Sequence, residues 1–197
     1  MRFIQDLLPQ LGQAASSNSL ARVVSVLGPS TEGNLIEDDL DLQKNYTLLN
    51  AATHAVTMTS LSMIHLAAAN PSISFIHSAP GGVKTNAMRD FNPIVKGLAL
   101  GALALLSPLG SRIGLVPIKE SGERHVFASI YPGFAPLNQN VETVGADGKR
   151  GSGAYRVHYD SAIVKSKQDL IRKYLTEGKE KTVWEHTMGI IEKAVGK

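Results

Sequence analysis

The chain has no cysteine, which excludes disulfides, thiolate catalysis and thiolate metal sites together. Folding therefore needs no oxidising compartment. No block of one charge sign is present: 20 Lys and Arg stand against 17 Asp and Glu, spread along the sequence. A net charge of +3 is a weak attractor for polyanions, so no nucleic-acid partner is expected despite a sequence pI near 9.1. The first 25 residues hold Asp6, Pro9 and a polar run at 13–19 in place of the charged-then-apolar layout of a secretory leader, which predicts a cytoplasmic protein. An uncharged run, 97–109, contains only Gly, Leu, Ala, Ser and Pro and falls short of the roughly 20 residues that a spanning helix needs. It predicts a buried or lid helix and no transmembrane segment.

Several chemistries are missing their signatures. His65, His77, His125, His158 and His186 lack the i, i+4 pairing around a carboxylate that marks helical zinc sites, so no metal is expected. No serine has the glycine flanks of a nucleophile elbow. The glycines of 145–153 have neither dinucleotide spacing nor the lysine-hydroxyl pair of a P-loop and predict a β-turn. Glu37, Asp38 and Asp39 read as a solvated loop. Neither an internal repeat nor a sustained heptad occurs.

What is present suits a single domain over 1–197, with 43% apolar residues to build a core. Phe3, Ile4, Leu7, Leu8 and Leu11 recur at three and four, predicting an amphipathic helix that ends by Gly12. Arg22-Val-Val-Ser-Val-Leu27 predicts a strand buried on both faces. A helix follows over 46–69 and stops at Asn70-Pro71, and Ser72–His77 predicts a second strand ending in the turn Ala79-Pro-Gly-Gly82. Strand, helix and strand make a parallel crossover unit whose ligand edge lies beyond the strand ends. Further on, 120–130 predicts a helix with Val126, Phe127 and Ile130, and 154–159 a strand. Two closing helices are predicted, one around Leu170–Leu175 and one opening at Thr182 with Glu185 in capping-box spacing.

The order Arg22–Leu27, a helix opening at Asn45-Tyr46, and Ser74–Thr85 resembles the second half of a short-chain dehydrogenase/reductase, with Pro80-Gly81-x-Val83-x-Thr85 as the most specific piece. Arg2-Phe-Ile-x-x-Leu-Leu-Pro9, Asn50-Ala-Ala-x-His54, Asn70–His77 and Val183-Trp-Glu-His-Thr187 resemble a divergent fungal group of that family, several members of which are associated with secondary-metabolite pathways. The resemblance spans nearly the whole chain. It implies an α/β fold: a partial Rossmann-like parallel sheet flanked by helices, with further helices at the carboxyl terminus. It also implies a truncated carboxyl-terminal portion, without the glycine-rich turn that would hold a dinucleotide.

The implied activity is oxidation or reduction of a carbonyl or alcohol with NADP or NAD. In that family a Tyr delivers the proton, a Lys four residues later favours its phenolate, and a Ser orients the substrate oxygen. Here Tyr46 is followed by Asn50 and His54 along one expected helical face, with no Lys in the implied place. Counting back from Pro80 instead puts Asn50 at the Tyr position and His54 at the Lys position. Gly28 falls where the Ser is implied, which leaves Ser30 as the nearby hydroxyl. The resemblance places Pro80, Gly81, Val83 and Thr85 beside the nicotinamide. The alternative reading is a non-redox relative: a pseudoenzyme, a cyclase or isomerase for a small lipophilic substrate, or a partner-binding scaffold. A half-sheet also exposes a strand edge, so a homo-oligomer or a covering partner chain is expected.

Overall fold

The computed structural model describes residues 1–83, 97, 115–139 and 141–196. Among them, β1 (Arg22–Val26), β2 (Ser74–Ser78) and β5 (Ala154–Val157) form a parallel sheet in the order β1-β2-β5. Arg22 stands opposite Ser74 and Val26 opposite Ser78. The second pairing sets Phe75 against Ala154 and Ser78 against Val157. A separate parallel pair joins β3 (Gly82–Val83) and β4 (Leu115–Val116). Among the described residues five helices surround these strands: α1 (Arg2–Ser16), α2 (Leu48–Ala69), α3 (Ile118–Ile130), α4 (Gln168–Thr176) and α5 (Lys179–Val195). The α/β class and the parallel neighbours 22–27 and 72–77 expected from the sequence are therefore present.

Strand alternation divides the core into two layers. Val23, Phe75 and Ala154 enter one cluster with Leu61, Met63, Leu66, Ile171, Tyr174 and Val183 from α2, α4 and α5. Val24, Ile76 and Tyr155 enter the other with Ala128 of α3 and Phe134. Both faces of the sheet are thus covered, and β2, its middle strand, is buried throughout. β1 is the edge strand and only half buried, which corrects the expectation of a strand buried on both faces. A short β-branched run does not distinguish an edge strand from a central one.

Helix boundaries differ from the periodicity in three places. α1 runs on to Ser16 because Ile4, Leu8, Leu11 and Ala15 keep one face on the core across Gly12. α2 begins at Leu48, with the Thr47 hydroxyl accepting from the Asn50 N–H at 3.0 Å, so Tyr46 stands outside the helix. α5 begins at Lys179 directly after Gly178, whose φ of +68° makes the break between α4 and α5. Thr182 and Glu185 therefore lie within a helix already under way and form no capping box. The glycine-rich turn at 145–153 is present: Val144 bridges Arg150 in antiparallel fashion. The run 97–109 lies, apart from Gly97, outside the described residues, as does Thr85.

Candidate functional site

Because the three sheet strands are parallel, their carboxyl ends open on one edge. A crevice of about 520 Å³ lies there, lined by 27–31 after β1, 79–82 after β2, and His158 and Tyr159 after β5. Its size falls within the range of small-molecule sites, and parallel α/β sheets take their ligands at this edge. A smaller cavity of about 380 Å³ adjoins it through Ser30 and His158. Another of about 380 Å³ sits at the opposite edge, near Arg22 and Ser72.

The wall after β1 is held in a constrained shape. Ser30 has a φ of +98°, a region disfavoured for any residue with a Cβ, and its N–H donates to Glu32 Oε2 at 2.9 Å. Glu32 is fully buried. Its Oε1 accepts from the Ser60 hydroxyl at 2.8 Å and pairs with Arg156 Nη1 at 3.0 Å. Arg156 in turn donates from Nη2 to Gln168 Oε1 at 2.9 Å. His77 Nδ1 lies 2.8 Å from the Ser60 hydroxyl oxygen. With the Ser60 proton given to Glu32, His77 must donate its Nδ1–H to Ser60, which leaves the buried Nε2 without a partner. Burial is the main reason His77 is held neutral, with its pKa lowered to about 4; the nearby Glu32 charge opposes that shift and Arg156 assists it. One network thus joins the loop after β1 to α2, β2, β5 and α4 directly beneath the crevice.

The wall after β2 turns at Gly81, whose φ is +76°. The Pro80 carbonyl accepts from the Ser121 hydroxyl at 3.2 Å, and the Val83 N–H donates to the Gly81 carbonyl at 3.1 Å. The wall after β5 sets the His158 ring against that of Tyr159, with centroids 4.4 Å apart and the planes tilted by 52°. Arg124 of α3 donates to the Tyr159 carbonyl at 2.7 Å, lies 5.8 Å from that ring's centroid and pairs with Glu120.

The residues singled out from the sequence separate into two groups. Ser30, Pro80 and Gly81 line the crevice, and Val83 follows it in β3. Tyr46, Asn50 and His54 do not line it. Tyr46 is 66% exposed before the α2 cap, and Asn50 donates from its amide to the Asn45 carbonyl at 2.8 Å. His54 is buried, with Nε2 accepting from the Ile36 N–H at 2.9 Å and Nδ1 3.3 Å from the Leu40 carbonyl. Gly28, where the resemblance implies a serine, has room for a Cβ: the nearest atoms would be Thr31 Oγ1 at 3.5 Å and Val56 Cγ2 at 3.7 Å. Asp39 is buried rather than solvated. Although burial alone would push its carboxyl up, donors from Asn45, Lys44 and Gln43 hold it below the ordinary carboxylate range. Sequence reasoning also missed Glu32, Ser60, Arg156, His158 and Tyr159; the available signal was the polar pair His77 and Arg156 inside apolar strands, which stand opposite each other in the sheet register.

The chain is similar to fungal oxidoreductases. It is 37% identical to oxidoreductase AN1596 of Emericella nidulans across 99% of this chain and 59% of that protein. Oxidoreductase andH of Emericella variicolor is 35% identical across 100% of this chain and 59% of its own length. An NmrA-like family domain-containing oxidoreductase, notO of an Aspergillus species, is 32% identical across 98% of this chain and 54% of its own. The chain thus spans less than two thirds of each of these relatives. No protein-family model and no solved structure matches it.

The dinucleotide that such a fold implies needs a holder for its pyrophosphate, ordinarily a glycine-rich turn running from a strand straight into a helix N-terminus. Among the described residues neither β1 nor β5 provides one: 27–47 separate β1 from α2, and 158–167 separate β5 from α4. The crevice fits a ring-sized ligand, and the described residues do not fit a diphosphate.

Proposed function

We propose that the chain forms part of a nicotinamide-dependent oxidoreductase of the short-chain type, acting on a small lipophilic carbonyl or alcohol in fungal secondary metabolism. The observation that carries this reading is the crevice at the carboxyl edge of the parallel sheet, where Ser30 and the Pro80-Gly81 turn meet. The similarity to fungal oxidoreductases along the whole chain supports it. In this reading Pro80, Gly81, Val83 and Thr85 lie beside the nicotinamide of NADP or NAD and Ser30 orients the substrate oxygen. The resemblance assigns the proton donor to Tyr46, with Asn50 and His54 after it, although all three stand outside the lining of this crevice.

A second reading is favoured by one observation, the missing pyrophosphate holder among the described residues: a non-redox relative that uses the same crevice to position a lipophilic substrate. Titration with NADPH and NADH, followed by nicotinamide fluorescence and calorimetry, separates the two. The oxidoreductase reading expects saturable binding below the millimolar range. Failure to saturate at millimolar nucleotide would leave this chain without redox catalysis of its own and would favour the second reading.

A further inference from the structure

The smaller cavity beside the crevice is made by the chain folding back after β5. Asp160 and Ser161 form the turn: the Ala162 N–H donates to Asp160 Oδ1 at 3.0 Å, the His158 N–H donates to the Ala162 carbonyl at 2.8 Å, and Ser161 adopts a φ of +67°. Ile163 then bridges Val157 in antiparallel fashion, and the Val164 N–H donates to the Arg156 carbonyl at 2.8 Å. This return brings Lys165 and Ser166 to the chamber of about 380 Å³ that shares Ser30 and His158 with the crevice.

The chamber is rich in donors and poor in free acceptors. Lys165 is exposed and, among the described residues, has neither an ion pair nor a side-chain hydrogen bond; the Ser30 and Ser166 hydroxyls have no partner there either. His158 adds a ring N–H in either tautomer. Asp160, the one carboxylate among the described lining residues, already accepts from Ala162 and stands 3.7 Å from His158 Nδ1. The group that suits such a lining is an acceptor carrying negative charge, because hydrogen bonds between an ammonium and an anion are the strong ones. The crevice differs in character: Leu27, the Pro80-Gly81-Gly82 turn and Tyr159 offer a ligand mostly apolar surface.

We propose that the ligand of this site is a lipophilic acid, whose apolar body occupies the crevice and whose carboxylate occupies the chamber, received by Lys165 and the Ser30 and Ser166 hydroxyls. The proposal rests on the crevice being the ligand site, as in the functional reading above. It also gives the backbone of Ser30 a use: Glu32 holds this residue at a φ of +98° where the two compartments join. A carboxylate suits the chamber better than a phosphate, because Asp160 borders it and repels a second negative charge.

The test uses cinnamate, a ring with a carboxylate on a short arm, its neutral amide cinnamamide, and inorganic phosphate as an anion without an apolar body. Each is titrated into the isotope-labelled 197-residue chain and followed by backbone amide NMR. Cinnamate is expected to saturate in the millimolar range with shifts in 27–31, 79–82 and 158–166. It should bind about three- to fivefold tighter than cinnamamide, the gain that one exposed charge pair supplies. Lys165→Gln, at an exposed position, should bring cinnamate down to the affinity of cinnamamide and leave cinnamamide unchanged. Asp160→Asn should tighten cinnamate alone. Equal binding of acid and amide in the crevice, indifference of cinnamate to Lys165→Gln, or phosphate binding at 158–166 more tightly than cinnamate would each overturn the proposal while leaving the crevice as the site. Shifts from both aromatic probes that bypass 27–31 and 79–82 would overturn the crevice reading with it.

Discussion

His77 has no exposed surface and sits in the middle strand, hydrogen-bonded to Ser60 and opposite Arg156 in register, so acid acts on the interior through its ring. Its pKa is lowered from the ordinary 6.5 to about 4 in the folded chain, chiefly by burial. Between those values the unfolded chain binds a proton that the folded chain refuses, so the stability associated with neutral His77 is complete above pH 6.5 and is lost as the pH falls toward 4. The full effect is on the order of 3 kcal/mol. Urea titrations across this window should show a slope that His77→Gln flattens; equal slopes in both proteins would contradict the assignment. Two backbone positions at the crevice act in opposite directions. Ser30 and Gly81 both have positive φ, at +98° and +76°. Ser30→Gly removes a disfavoured conformation and should stabilise the chain by about 1 kcal/mol, whereas Gly81→Ala introduces one and should destabilise it by about 1–2 kcal/mol. A destabilised Ser30→Gly or a stabilised Gly81→Ala in thermal melts would refute the turn geometry. Pro80 and Gly81 were legible in the sequence because a proline-glycine turn after an apolar run has a local cause. The unusual backbone at Ser30 was not, because Glu32 stabilises it only through partners that lie far along the chain.

Among the elements, the parallel pairing of β1 and β2 was legible because two short apolar runs separated by a long helical pattern leave little other choice. The loop between β1 and α2 was not. Its acidic composition suggests solvent, yet the Asp39 carboxylate gathers the N–H groups of residues 43–45, His54 holds the backbone at Ile36, and Glu32 reaches Ser60 and Arg156. These attachments depend on distant residues and leave no periodic signature. His54 is itself buried within these attachments. Arg156 and Glu32 are both almost completely buried, so removing one leaves the other without its counter-charge in the interior. Arg156→Met should cost about 3–5 kcal/mol, and combining it with Glu32→Gln should cost clearly less than the sum of the two single losses. Additive losses in a double-mutant cycle would mean that the pair is not coupled.

For the molecule as a whole, the sheet gathers three loops at one edge. The crevice is a consequence of that parallel order, because the strands end together. The location of the site rests on the fold, and it is the claim from which the functional reading follows. Backbone amide NMR of the isotope-labelled chain during addition of NADPH tests it directly. The account predicts saturable shifts concentrated in residues 27–31, 79–82 and 158–159, whereas shifts confined to the opposite edge near Arg22 and Ser72 would contradict it.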